Sequence, residues 1–243
     1  MRAEGTVDDA GILDLQALTK HFGGVVAVNQ CSFRVPRNII AGLIGPNGSG
    51  KTTLFNLLTG ILPADGGDYF YKGEPMLGLR PHEICRRGIS RTFQIIRVFR
   101  EMTALENLVA VSRDRNIADV RRRALELLDF VTLLPLKDEY AGNLSYGQQK
   151  LLEFARALMS APDVLLLDEP AAGVNRTLLT TLLDRMHELR AQGKTIVIVE
   201  HDMQVVMNHC EKIFVLDHGE LIAEGVPGEI QGNARVIEAY FGR

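Results

Sequence analysis

Apolar residues gather along the chain in four short runs, at 39–44, 164–167, 195–199 and 213–216, all rich in Ile, Leu and Val. The first three are almost uninterrupted, which is the pattern of strands covered on both faces. Each of these three is followed by a stretch with helical spacing: 51–58, then 178–190 closed by Gly193, then 203–209. Strand and crossover helix in alternation predict a parallel sheet, so the core is α/β. Between about 97 and 159 the texture changes, and 105–111, 117–130 and 147–159 read as amphipathic helices with no strand among them. A helical insertion is expected there. The tail regains a short alternation at 221–223, a turn over 225–228 and a last helix over 236–240.

With 243 residues, 46% of them apolar, the chain can bury a core in one large α/β domain or two small ones. Its 27 basic and 30 acidic side chains leave a net charge of −3, so no positive field favours a polyanion, and nucleic acid is not an expected partner. Cys31, Cys85 and Cys210 are far apart and outside any CxxC spacing, which argues against disulfides and a zinc site and fits a reducing cytosol. Residues 1–10 carry Arg2, Glu4, Asp8 and Asp9 with no apolar stretch, unlike a secretory signal. Every apolar run falls far short of the about 20 residues that span a bilayer, so a membrane role is expected to be peripheral, on the cytoplasmic face.

The strongest local signal is Gly45-Pro46-Asn47-Gly48-Ser49-Gly50-Lys51-Thr52, which matches GxxxxGK[ST] with a strand before it and a helix after it. Its glycines let backbone N–H groups turn around phosphates at a helix N-terminus. Lys51 is placed to reach the β- and γ-phosphates of ATP and Thr52 to ligate Mg²⁺, with Thr53 next on the helix among the nucleotide-binding residues. A bare Gly-rich turn would not need eight residues in this order and context. A second element, 164–170, ends a buried strand with Asp168 and Glu169 ahead of Pro170. Asp168 can face the metal while Glu169 orients or deprotonates the attacking water. Two acids opening a loop are the plainer reading, which loses weight beside a phosphate loop. Ser145 and Gln148 form a capping box at the start of the helix to residue 159, a purely structural feature on its own. With Gly147 near its start, that helix also offers N–H groups and a positive dipole to a phosphate from another chain.

These residues resemble an ATP-binding-cassette ATPase, the nucleotide-binding subunit of ABC transporters, over nearly the whole chain. The segment 144–148 resembles the signature LSGGQ, with Tyr146 in place of the first glycine. Gln94 resembles the glutamine-loop residue and His201 the switch histidine, and the order of loop, glutamine, signature, acidic strand and histidine is what makes the match specific. The resemblance implies one nucleotide-binding domain over 11–243, with a core at 11–95 and 160–243 and a helical signature subdomain at about 96–159. It implies a RecA-like, mostly parallel sheet with an N-terminal antiparallel part. It implies that Gln94 contacts Mg²⁺ or the attacking water, that His201 donates to the γ-phosphate, and that Phe22 stacks on adenine, the competing reading of Phe22 being core filler. Asn175 stands where the family commonly has an aspartate facing the dimer interface.

Within the family, residues 22–29, 91–94 and 239–242 are most similar to branched-chain amino-acid importers, although Arg37 and Asn38 replace the Gly-Glu usual there. Urea or amide importers and lipopolysaccharide exporters are the nearest alternatives. A soluble cassette protein acting on ribosomes or nucleic acid is disfavoured by one cassette, a short insertion and negative charge. Intact Lys51, Asp168, Glu169 and His201 speak against a non-hydrolysing subunit. The implied partners are a second ATPase subunit packed head to tail, transmembrane permease subunits and a solute-binding protein. Ile95, Ile96, Val98 and Phe99 are the expected docking groove for the permease, bordered by Arg86, Arg87, Arg91, Arg97 and Arg100.

Overall fold

The computed structural model describes residues 11–242, so the reading of residues 1–10 lies outside the described part. In chain order it contains β1 (Leu13–Phe22), β2 (Val25–Val35), β3 (Ile40–Ile44), α1 (Lys51–Leu58), β4 (Gly66–Tyr71), β5 (Glu74–Pro75), α2 (Pro81–Arg87) and β6 (Ile89–Arg91). Then follow α3 (Ala104–Val109), α4 (Ile117–Phe130), α5 (Tyr146–Leu158), β7 (Val164–Asp168), α6 (Arg176–Ala191), β8 (Thr195–Val199) and α7 (Met203–His209). The chain closes with β9 (Lys212–Asp217), β10 (Glu220–Gly225), α8 (Pro227–Gln231) and α9 (Ala234–Phe241).

The central sheet has the strand order β10-β9-β3-β8-β7-β6, parallel except for β10. Every residue of β3, β7 and β8 is buried, and the alternation of the pleat sorts their side chains between two cores. Ile40, Ile44, Leu165, Leu167, Ile196 and Ile198 face the core built with α4, α5 and α6. Ala41, Leu43, Val164, Leu166, Val197 and Val199 face the other, built with α1 and the second sheet. That is why the sequence shows no polar alternation in these strands.

The second sheet is antiparallel, in the order β2-β1-β4-β5. Its strands carry register shifts, and Ala17 and Gln30 take positive φ within β1 and β2. These bulges hide the period of two, and the sheet was expected only from the family resemblance. The helical stretch between β6 and β7 contains no strand, only an isolated bridge between Thr103 and Tyr140. At 225–228 the expected turn is already the start of α8, with Pro227 in its first position, where a missing N–H costs nothing.

Register fixes where chemistry can occur. Leu43 lies opposite Val199, and Val199 opposite Asp168, so β3, β8 and β7 end level with one another. The phosphate loop, the Asp168-Glu169 pair and His201 all leave the sheet at this carboxyl edge, the usual ligand edge of a parallel sheet.

Candidate functional site

Gly50 forms the N-cap of α1 with φ 102° and supplies no side-chain cap, so the first N–H groups of the helix point into the loop. A Cβ there would stand 2.3 Å from the carbonyl oxygen of Ala27, so only glycine fits between β2 and the helix. Lys51 is buried, and its Nζ donates to the carbonyl oxygens of Gly45 and Pro46, both at 2.8 Å, and to Ser49 Oγ at 3.2 Å. Burial lowers its pKa, while Glu169 and Asp168 act to raise it. Asn47, Gly48 and Thr52 line the exposed side of the loop and Thr53 is half-buried behind them.

Asp168 is buried at the end of β7. Its Oδ2 accepts from Arg91 Nη2 at 2.7 Å, and its N–H donates to Thr92 Oγ1 at 3.3 Å. Its Oδ1 has no partner among the described residues. A buried, unpartnered carboxylate oxygen beside a phosphate loop fits a hard divalent cation such as Mg²⁺, with the Thr52 hydroxyl as the second oxygen donor.

Glu169 takes φ +49°, outside the strand, so its carboxylate departs from the direction of Asp168. Gln94 Nε2 donates to its Oε2 at 3.0 Å, and His201 Nε2 lies 2.9 Å from its Oε1. Three residues widely separated in the sequence thus meet at one carboxylate. Glu200, buried behind His201, accepts from the N–H of Ala171 at 2.6 Å and holds the next turn in place. Burial raises the pKa of Glu200, against the pull of those N–H groups and of Lys150.

Phe22 is 48% exposed at the tip of the β1–β2 hairpin, with Lys20 Nζ 5.7 Å from its ring centre, so it is not core filler. Ser145, by contrast, is not brought to the phosphate loop of its own chain. Its Oγ accepts from Gln148 N at 3.3 Å while Gln148 Oε1 accepts from Ser145 N at 2.8 Å, closing the capping box at the start of α5. Gly147 is buried against Leu178 of α6. Asn175 caps α6 by accepting from Leu178 N at 3.0 Å.

The family model described as "ABC transporter" matches residues 28–172. The chain belongs to the ATP-binding cassette transporter family. A second model, of the branched-chain amino acid ATP-binding cassette transporter, matches residues 220–243. The chain is 42% identical to the high-affinity branched-chain amino acid transport ATP-binding protein BraF of Pseudomonas aeruginosa, with 95% of this chain and 98% of that protein covered. A nucleotide-free cassette from an ABC transporter superposes with a TM-score of 0.88 at 34% identity, covering 96% of this chain and 99% of that one. A dimeric cassette in a post-hydrolysis state with ADP and Pi superposes with a TM-score of 0.80 at 26% identity, covering 88% and 98%. As a cassette ATPase, the chain binds and hydrolyses ATP.

Two cations in this cassette carry more than their sequence positions suggested. Arg91, expected at the rim of a docking groove, has a side chain only 5% exposed and is committed to Asp168, with Asn56 Oδ1 accepting from its Nη1 at 2.6 Å. Lys150, on α5, is buried among Glu200, Glu153, Glu169 and Asp168. A polar residue within the apolar face of each element was the only signal available. Of the expected groove, Phe99 with Arg86, Arg91 and Arg97 line a cleft of about 860 Å³, joined by Ile84, Phe93, Arg113 and Arg156. Ile95 projects to solvent and Val98 packs against the core built with α4, α5 and α6, so neither lines it.

Proposed function

We propose that this cassette powers the uptake of branched-chain amino acids, with the chain forming half of each of two shared ATP sites. The observation that carries the catalytic part is the convergence of Gln94 and His201 on the two oxygens of Glu169. Glu169 is the base that takes a proton from the attacking water, Gln94 orients that water, and His201 donates to the γ-phosphate. Thr52, Asp168 and the amide oxygen of Gln94 would hold Mg²⁺, which would supply charge neutralisation to the bound phosphates. Lys51 and the N–H groups of residues 45–53 hold the phosphates, and Phe22 stacks on the base.

The closed capping box supports the second half of the reading. Ser145, Gly147 and Gln148 serve the nucleotide of a second ATPase subunit, as no hydrogen bond links them to residues 45–53 of their own chain among the described residues. In this reading residues 11–243 form one nucleotide-binding domain and about 96–159 act as its helical signature subdomain. Among the described residues no helix is long and apolar enough to cross a membrane. In this reading the chain works as a peripheral subunit on the cytoplasmic face, its arginine-bordered cleft receiving a permease segment with an acidic flank.

Glu169→Gln keeps the shape of the side chain and removes the base. It is expected to bind ATP normally, to lose turnover by about 100-fold or more, and to accumulate an ATP-dependent dimer on size-exclusion chromatography. Normal turnover would reject Glu169 as the base. The cargo is tested by co-purification from membranes, where permease subunits and a solute-binding protein for leucine, isoleucine or valine are expected. A binding protein for urea or amides would reassign it.

A further inference from the structure

Glu169 is held by its side chain from one direction and by its main chain from another. Its left-handed φ is unusual for a residue with a Cβ and persists only where the surroundings hold it. On one side its N–H donates to the carbonyl oxygen of Val199 at 2.8 Å. On the other, Lys150 Nζ donates to the carbonyl oxygen of Glu169 at 2.5 Å and reaches that of Pro170 at 3.4 Å. Lys150 belongs to α5, about one and a half turns beyond Ser145 and about 7.5 Å along the axis from it.

Tyr146, at the start of the same helix, adds a second contact to the same turn. A Cβ at Gly173 would stand 2.8 Å from Tyr146 Cε1, so the tyrosine ring lies directly against the glycine, whose φ is +71°. Lys150 Nζ is 5.8 Å from the centre of that ring. The tyrosine that replaces the signature's first glycine therefore fills the space over residues 169–173. An apolar side chain at 150 would pack at least as well there and avoid desolvating an ammonium, but it could not donate to two carbonyls.

We propose that Lys150, assisted by Tyr146, is a positioning residue that latches the signature helix of the chain to the turn carrying its own base. The inference rests on Glu169 as the base and on the signature helix serving the partner's ATP. Because Glu169 then acts on the chain's own ATP while the start of α5 touches the other, the latch joins the two shared sites through one chain. Displacement of α5 by a partner's nucleotide moves the carbonyls of Glu169 and Pro170, and with them the carboxylate.

Lys150→Met in the full chain tests this. Expected are a fall in kcat of about 10-fold or more, a KM for ATP within about twofold of wild type, and faster amide exchange over 169–173. Lys150→Arg, which keeps a donor, recovers most of the turnover. In a Glu169→Gln background the ATP-dependent dimer still forms, because the capping box of α5 is untouched. Should Lys150→Met fold poorly, Tyr146→Ala, at a residue 48% exposed, is expected to lower kcat about threefold with the same unchanged KM. The latch is overturned if kcat and exchange over 169–173 stay at wild-type levels, or if Lys150→Arg is as impaired as Lys150→Met. Turnover by Glu169→Gln alone would reject the base assignment and leave the latch measurement to stand separately.

Discussion

Two helix N-termini, those of α1 and α5, face nucleotide in the proposed mechanism, and they are built in opposite ways. α1 starts from a left-handed glycine with no side-chain cap, so its N–H groups depend on a ligand or on the loop for partners. α5 starts from Ser145 and closes a capping box with Gln148, satisfying its orphan donors internally. In the proposed mechanism the first terminus binds phosphate by itself. The second is stable without a nucleotide, as a surface that one chain presents to another must be. The difference teaches that changes at α1 should alter what a single chain binds, whereas changes at α5 should alter only what a pair can do.

The largest effect expected after loss of the base is at Lys51. Lys51→Met removes the phosphate-binding ammonium and its bonds to Gly45 and Pro46. Turnover should fall about 100-fold or more and ATP binding by the isolated chain should weaken, read by steady-state hydrolysis and nucleotide titration. Ser145→Ala should cost α5 about 1 kcal/mol through loss of the cap and lower turnover. It should leave the single-chain affinity for ATP unchanged; weaker binding by the isolated Ser145→Ala chain would break the comparison.

The smallest effect is expected away from both termini, at Asp163. Its carboxylate binds Lys72 at 2.5 Å and Lys194 at 3.0 Å, tying the antiparallel sheet to the loop before β7. The hydrogen bond from Lys72, more than any other cause, lowers its pKa from 3.8 to about 2. Since the folded pKa is the lower one, the stabilisation is complete above about pH 4 and disappears as pH falls towards 2. The group is well exposed, so solvent screening limits it to about 1 kcal/mol. Acid titration of unfolding should therefore show wild type more stable than Asp163→Asn near neutrality and equal to it near pH 2, with nucleotide affinity alike in both.

Legibility in the sequence followed burial. β3, β7 and β8 were readable because both faces are covered, which leaves unbroken apolar runs. β1 and β2 were not, because bulges and positive φ at Ala17 and Gln30 break their alternation. β6 escaped notice at three residues, too short for any period to show. Of the site, the residues on motifs were legible because phosphate chemistry fixes their spacing. Arg91 and Lys150 were not, since their partners lie 77 and 19 residues away and only the parallel register and the crossing of α5 bring them together.

The Arg91–Asp168 ion pair sets a length. Arg91 is fixed to Asp168 and to Asn56, whereas the side chain of Gln94 is tied, among the described residues, to the carboxylate of Glu169 alone. Thr92 is held to the sheet as well, its N–H donating to the carbonyl oxygen of Leu166 at 3.0 Å, so the piece of chain left before Gln94 is two residues and extends no further than about 7 Å. When the helical region that follows Gln94 is drawn away from the sheet, the slack is soon exhausted. The exposed hydrogen bond from Gln94 to Glu169 should then part before the buried Arg91–Asp168 pair yields. On the proposed reading, Gln94 is then a fuse whose breaking point lies at the carboxylate of Glu169.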